Sequence, residues 1–214
     1  MKNRYRHEER LRRGLDAVVA GVLLVALAPL LALIALAVRV TSRGPVLFAQ
    51  ERVGKDGAPF RLLKFRTMVA DAPARGPAVT AAGDPRITRL GAVLRRWKLD
   101  ELPQLLNVLA GDMSLVGPRP EVPCYVSHYT PAQREILRVR PGITDPATLT
   151  YVDESGVLAA FADPERAYVE AVLPRKIELS LAYLAHRSLR TDLGVLARTA
   201  LRLVLPGSTP APSA

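Results

Sequence analysis

The stretch Leu99-Asp-Glu-Leu-Pro-Gln-Leu-Leu-Asn-Val-Leu-Ala-Gly-Asp-Met-Ser-Leu-Val-Gly-Pro-Arg-Pro120 is the most informative part of this chain. It sets two adjacent carboxylates, Asp100 and Glu101, at the head of an apolar helical pattern in which Leu102, Leu105, Leu106 and Leu109 recur on one face. Asp100 falls where a helix N-cap would stand, with Pro103 tolerated in the first turn. A helix N-terminus carries free N–H groups and partial positive charge, so it favours an ionised carboxylate and accepts phosphate. Spacing alone reads Asp100 as a cap and Glu101 as a solvated first-turn acid. The surroundings add to that reading. Arg86, Arg89, Arg95, Arg96 and Lys98 precede the pair, and the rigid turn Gly117-Pro-Arg-Pro120 follows it. Neighbouring acids among cations suit a polyanionic substrate and a divalent metal ion.

Upstream, Gly91 to Lys98 is compatible with a short helix. Val46–Gln50 and Phe60–Phe65 read as two strands around a Gly-rich turn at 54–57, a β-hairpin. Gly54 and Gly57 match neither Walker nor dinucleotide spacing, so this turn is no phosphate loop. Asp71 to Ala82, rich in Ala, Pro and Gly, reads as a surface loop. Downstream, Glu121–Tyr129 and Thr130–Arg138 read as helices, and Arg138-Val-Arg-Pro-Gly-Ile-Thr144 as a rigid basic turn. Ala167 to Leu205 carries helical periodicity with a basic, apolar-rich character, suited to an anionic membrane surface or to packing on the core. No internal repeat or Pro/Gly linker divides the chain.

The chain has 214 residues and a formal charge of +10, which points to an anionic partner: nucleic acid, anionic lipid or a phosphorylated substrate. Aromatics are only 5%, which argues against base stacking, and no nucleic-acid reader motif is present. Cys124 stands alone, so there is no disulfide framework. His7, His128 and His186 are scattered without metal-ligand spacing. From Ala17 to Val38 there is no charge, a run long enough to cross a bilayer. Yet basic residues flank both ends: Lys2, Arg4, Arg6, Arg10, Arg12 and Arg13 before it, Arg39 and Arg43 after it. A spanning helix keeps its positive end inside, so two basic flanks conflict with a single crossing. Pro29, mid-run, removes a backbone donor and bends a helix. A helix that enters, bends and returns to the same leaflet keeps both flanks in the cytoplasm.

The 84–120 string, Lys64-Phe-Arg-Thr-Met68 and the Arg138–Thr144 turn together resemble the bacterial sugar transferases, the monotopic polyprenyl-phosphate phosphoglycosyl transferases, in their small catalytic-core form. The resemblance covers about 10 to 205. It implies an α+β, mostly helical membrane-associated fold: a re-entrant membrane helix hairpin (15–39) broken at Pro29, a catalytic core (44–150) with the short β-hairpin, and amphipathic C-terminal helices (163–205). These form one domain over 1–205, with a disordered tail at 206–214.

The reaction so implied moves a sugar 1-phosphate from a UDP-sugar to polyprenyl (undecaprenyl) phosphate, with Asp100 as nucleophile and an aspartyl-phosphosugar intermediate. Glu101, with Asp100, would bind Mg²⁺. Lys64, Arg66, Arg95, Arg119 and Asp192 would contact substrate. Donor, acceptor and membrane lipid are the expected partners, with no nucleic acid, at the cytoplasmic face of the bacterial inner membrane. Arg95 and the helix N-terminus would depress the Asp100 pKa. The chain departs from the family pattern at Ala28, where a serine precedes the break, at Ser180, where an acid is usual, and in Asp145–Glu154, which replaces a Gly-Trp-x-Gln continuation. A non-catalytic membrane scaffold of a glycan assembly complex is the alternative; an intact Asp100-Glu101 pair argues against it.

Overall fold

The computed structural model describes residues 2–77 and 79–204. The tail expected at 206–214 lies outside them. The chain opens with two helices, α1 (Lys2–Ala26) and α2 (Ala28–Thr41), bent by 64° at Leu27. The bend follows from Pro29, which lacks the N–H for the next ladder bond and whose ring is opposed by the Val25 carbonyl. Leu27 N to Leu23 O and Leu31 N to Leu27 O, both 2.8 Å, keep the ladder on either side. No single helix among the described residues is long and apolar enough to cross a membrane; the bent pair passes that test together. One face of the pair is packed. Ala20 meets the cluster of Leu62, Val108 and Met113, and Ile34 and Val38 meet Phe65 and Leu94. The other face leaves Val18, Val22, Val25, Leu33, Leu36 and Val40 exposed. Asp16, just before the uncharged run, accepts from Ser114 Oγ at 2.7 Å and Leu115 N at 3.3 Å, which fastens α1 to the body.

The expected hairpin is present as β1 (Leu47–Val53) and β2 (Pro59–Phe65), antiparallel from Leu47↔Phe65 to Val53↔Pro59. Its turn at Lys55–Gly57 places Asp56 and Gly57 at positive φ, 55° and 79°, a conformation that glycine adopts without steric penalty. The loop after β2 contains a short 3-10 turn (Ala72–Ala74), then α3 (Arg89–Arg96) begins, capped by Thr88 Oγ1 accepting from Gly91 N at 2.9 Å.

The expectation that Asp100 caps the next helix is corrected here. A cap at Asp100 would accept from the N–H two or three residues on, but Pro103 has none and Leu102 N turns back to Leu99 O. Upstream the chain closes with i→i+3 bonds instead, Glu101 N to Lys98 O and Leu102 N to Leu99 O, both 3.3 Å. Asp100 therefore sits inside a 3-10 turn (Leu99–Glu101), and α4 runs Gln104–Ala110 to Gly111 at φ 95°. Beyond it β3 (Ser114–Val116) pairs parallel with β4 (Gly142–Thr144), where the sequence reads only two rigid turns. Gly117 and Gly142 are required by close approach, since a Cβ on Gly142 would lie 2.1 Å from Gly117 N.

The helices expected at Glu121–Tyr129 and Thr130–Arg138 are shorter: α5 is one turn (Pro123–Val126), and Gln133–Arg138 is 3-10. Pro131 between them has no N–H to carry a helix through. Asp145, Asp153 and Asp163 cap α6 (Pro146–Thr150), α7 (Glu154–Ala159) and α8 (Pro164–Ala167). After a π-helical turn (Tyr168–Val172), the C-terminal periodicity divides into α9 (Leu173–Ala185) and α10 (Leu189–Val204). Ser188 makes the break by accepting from Thr191 N at 3.1 Å. Leu173 and Ile177 of α9 are core residues, whereas α10 buries Val195 and exposes Leu193 and Leu201.

Candidate active site

Three segments meet at Glu101. Along β2 side chains alternate, so Phe60, Leu62 and Lys64 share one face while Phe65 turns to α2. Lys64 Nζ donates to Glu101 Oε1 at 3.2 Å. From the turn after β3, Arg119 grips the same carboxylate with both terminal nitrogens; Nη1 lies 3.1 Å from Oε2, and Nη2 bonds Oε1. The third segment is the dyad's own turn. Lys98 takes the left-handed conformation, φ 54°, which reverses the chain after α3 and delivers Asp100 and Glu101 inward. Its Nζ donates to Val152 O at 3.0 Å, which sets the 152–155 segment beside the dyad.

The two neighbouring acids are shifted in opposite directions. Burial raises the Glu101 pKa, but Arg119 and Lys64 outweigh it and hold the carboxyl well below the usual carboxylate range. Asp100 is only 6% exposed, and among the described residues no hydrogen bond or ion pair engages its carboxylate. Burial, then the Glu101 charge, raises its pKa above that of an ordinary aspartate; Lys64, Arg95 and Lys98 oppose this without reversing it. The expected depression is therefore corrected: without a helix N-terminus at Asp100, desolvation wins. Arg95 faces this charge while its Nε donates to Thr67 Oγ1 at 2.8 Å. Burial lowers the Lys64 pKa despite Glu101.

The structure thus brings together Lys64, Arg95, Asp100, Glu101 and Arg119. It places the other two sequence candidates elsewhere. Arg66 Nη2 donates to Ser42 O and Oγ, both at 2.8 Å, at the end of α2; its buried Nε and Nη1 have no partner among the described residues. Asp192 pairs with Arg12 at 3.1 Å, accepts from Tyr183 OH and faces Arg187, between α1 and α10. Arg187 in turn donates to Val116 O at 3.0 Å, one residue before the Gly-Pro-Arg-Pro turn.

Other residues around the site escaped sequence reasoning. Glu121 is buried among Arg52, Tyr168 and Lys176, and Lys176 also bonds Glu154 at 2.7 Å. Arg52 Nη1 donates to Pro120 O at 3.0 Å, so this network braces the turn that carries Arg119. Glu121 follows directly on Pro120, the only sequence signal available. Lys176 looks in sequence like any solvated helix lysine.

The donor set fits a hard divalent cation. Two carboxylates are adjacent, and one of them has no protein partner. No group of three or more His, Cys, Asp or Glu gathers among the described residues, so such an ion would complete its shell with water and substrate phosphate.

The profile of the Bacterial sugar transferase family matches residues 7–206. The chain is 40% identical over 193 residues to the UDP-glucose:undecaprenyl-phosphate glucose-1-phosphate transferase of Caulobacter vibrioides, covering 88% of this chain and 67% of that protein. To the UDP-N-acetylgalactosamine-undecaprenyl-phosphate N-acetylgalactosaminephosphotransferase of Aeromonas hydrophila it is 37% identical over 203 residues, 92% of this chain and 44% of the other. To the undecaprenyl-phosphate glucose phosphotransferase of Komagataeibacter xylinus it is 40% identical over 203 residues, 89% of this chain and 35% of the other. The chain thus spans less than half of the latter two proteins. The three names differ in the sugar moved.

Proposed function

The chain belongs to the bacterial sugar transferase family, and from that premise we propose that it moves a sugar 1-phosphate from a UDP-sugar to undecaprenyl phosphate, initiating membrane glycoconjugate or exopolysaccharide synthesis. The observation that carries this reading is the pair of adjacent acids in opposite states. Glu101 is locked to Arg119 and Lys64, while Asp100 stands buried and unpaired among cations. A desolvated, unpaired carboxylate is a stronger nucleophile than one tied up in hydrogen bonds.

Displacement at phosphorus needs an in-line nucleophile and neutralised oxygen charge. An Asp100 oxygen attacks the sugar-bearing phosphorus, the bond to the uridylyl oxygen breaks, and UMP leaves. The phosphate oxygen of the acceptor then attacks the aspartyl-phosphosugar at phosphorus, giving polyprenyl-diphospho-sugar and releasing Asp100. Lys64, Arg95 and Arg119 hold the diphosphate, and Arg66 brings its two unengaged donors to the acceptor side, where α2 ends. Asp192 acts through Arg187 on Val116, bracing the Arg119 turn. Glu101 and Asp100 would hold Mg²⁺, which supplies charge neutralisation at the transferring phosphoryl group.

The bent α1–α2 pair supports a monotopic placement on the cytoplasmic leaflet. Each uncharged arm is roughly 15 Å long at 1.5 Å per residue, about half of a ~30 Å hydrocarbon core. A radiolabelled UDP-sugar with undecaprenyl phosphate tests the reaction, and intact-mass analysis with donor alone tests the adduct on Asp100. Product formed without any adduct, with Asp100→Asn as active as wild type, would overturn the assignment. Topology is tested by single cysteines at Tyr5 and at Arg75 in a Cys124→Ser background. Both should resist an impermeant thiol reagent in intact cells and react after permeabilisation. Labelling at Tyr5 in intact cells would mean a single crossing.

A further inference from the structure

At the far end of the β1–β2 hairpin from the dyad, the hairpin turn meets the start of α1 and the loop before β4. Between them lies an open cavity of about 410 Å³ walled by Glu9, Arg10, Arg13, Lys55 and Arg140. Roughly 17 Å of strand at 3.3 Å per residue separates Pro59, beside this turn, from Lys64 at the dyad. The cavity is therefore a second site and not an extension of the first.

Its wall is built to hold an oxyanion. The Glu9 carboxylate accepts from Lys55 Nζ at 2.9 Å and Arg140 Nη1 at 3.1 Å. Burial works against its charge, yet Lys55 and Arg140 keep its pKa below the ordinary value. Two of the guanidiniums are fixed by backbone carbonyls at the end of α4. Arg13 donates to Val108 O and, at 2.7 Å, to Leu109 O, and Arg140 Nε donates to Gly111 O at 2.9 Å. Exposed Arg10 has no hydrogen bond or ion pair among the described residues. Four cations face one carboxylate, so the wall keeps a positive excess.

The rim of the cavity selects the kind of anion. Arg13 lies about 6 Å of helix rise before Ala17, where the uncharged run begins. Leu109, whose carbonyl Arg13 holds, and Leu106 one turn before it are exposed on α4. Fixed cations bordered by exposed leucines complement a ligand with a phosphate and an acyl chain; a soluble phosphate has no use for the leucines. We propose that this cavity binds the phosphodiester of an anionic phospholipid, with its acyl chains along the leucine rim. The proposal rests on the membrane placement above and is independent of the sugar-transfer chemistry.

The test takes the full chain in nanodiscs of phosphatidylcholine with about 30 mol% phosphatidylglycerol and counts retained lipids by native mass spectrometry. Phosphatidylglycerol should be retained over phosphatidylcholine by on the order of fivefold per contributing cation. The preference should vanish in Arg10→Gln/Lys55→Gln. It should persist in Arg166→Gln/Arg175→Gln, which removes equal charge from exposed positions on α8 and α9. Should the first double variant fail to fold, Arg10→Gln alone breaks no contact and should still lower the preference. Equal retention of both lipids by the wild type, or an unchanged preference in the folded Arg10 variants, overturns the proposal. Displacement of phosphatidylglycerol by inorganic phosphate also overturns it, in favour of a soluble phosphate. A chain that never enters the discs overturns the membrane reading as well. One that enters and shows no preference overturns this proposal alone.

Discussion

Two buried acid–base clusters flank Arg119, and they are built on opposite rules. Around Glu121 every charged group has a partner: Arg52 at 3.4 Å, Tyr168, and Lys176, which turns to Glu154 at 2.7 Å. Around Asp100, Lys64, Arg95 and Lys98 act through their charge alone, and among the described residues the carboxylate has no hydrogen bond or ion pair. A fully satisfied network rigidifies what it touches, whereas an unsatisfied buried charge is a standing cost. The difference separates scaffold from chemistry: one cluster fixes the Arg119 turn and the other keeps a group in reserve.

The largest expected effect breaks the second cluster. Asp100→Asn should lower transferase activity by at least about 1,000-fold. The same change should leave thermal stability unchanged or higher at neutral pH. The folded state favours the protonated form of Asp100, so its ionised form opposes folding above that raised pKa, and the amide removes the opposition. A melting midpoint that fell by several degrees would show that Asp100 is structural and dissolve the comparison.

Next comes the paired cluster. Lys176→Met leaves Glu154 without its partner and Glu121 with only Arg52 and Tyr168, and should cost roughly 3 kcal/mol, read as a midpoint lower by about 10 °C. Adding Glu121→Gln should recover part of that loss. Activity should drop less than in Asp100→Asn, because the reacting groups stay in place. A Lys176→Met protein of normal stability would make the brace dispensable.

Glu101→Gln mixes both behaviours, since Glu101 is held like a scaffold acid but sits next to Asp100, the proposed nucleophile. Its depressed pKa contributes stability that is complete above the unfolded-state value and lost as pH falls through the lower folded one. The amide should therefore lower the midpoint at pH 7 and much less in strong acid. It should also raise the Mg²⁺ concentration needed for half-maximal rate, and EDTA should abolish wild-type activity; full activity in chelator removes the metal from the mechanism.

The smallest effect is a pH profile. The acid limb of single-turnover adduct formation should titrate above the range of an ordinary aspartate, because Asp100 must be ionised to attack. An acid limb at or below that range would mean that substrate cations or the metal dominate over burial.

Features written in local chemistry were legible before the structure. The Gly-rich turn between alternating strands gave the hairpin, and Pro29 inside an uncharged run gave the bend. The acid pair among cations marked the dyad, and the resemblance named Lys64 and Arg119, which the fold brings to Glu101. What depended on distant chain was not legible. β3 and β4 are three residues each and show no period, so their parallel pairing is visible only in the backbone approach of Gly117 to Gly142. Asp100 has a cap's spacing, but Pro103 offers it no N–H and Leu102 N is taken by Leu99 O. Its raised pKa followed from burial, which a sequence does not display. The resemblance assigns Asp192 and Arg66 to substrate, but their contacts lie with Arg12 and Ser42, far off in sequence.

The grip of Arg119 on Glu101 has a consequence for which ligands can gain access. An arginine fork is the natural receptor for a phosphate, and in the free protein it already holds an internal occupant. A visiting anion must outcompete a tethered carboxylate of unit charge. Chloride, acetate or bicarbonate gains nothing by the exchange. A diphosphate, with more charge and several oxygens, does. The resting site thus sets a threshold on anion valence, which a monovalent anion does not pass and a diphosphate does.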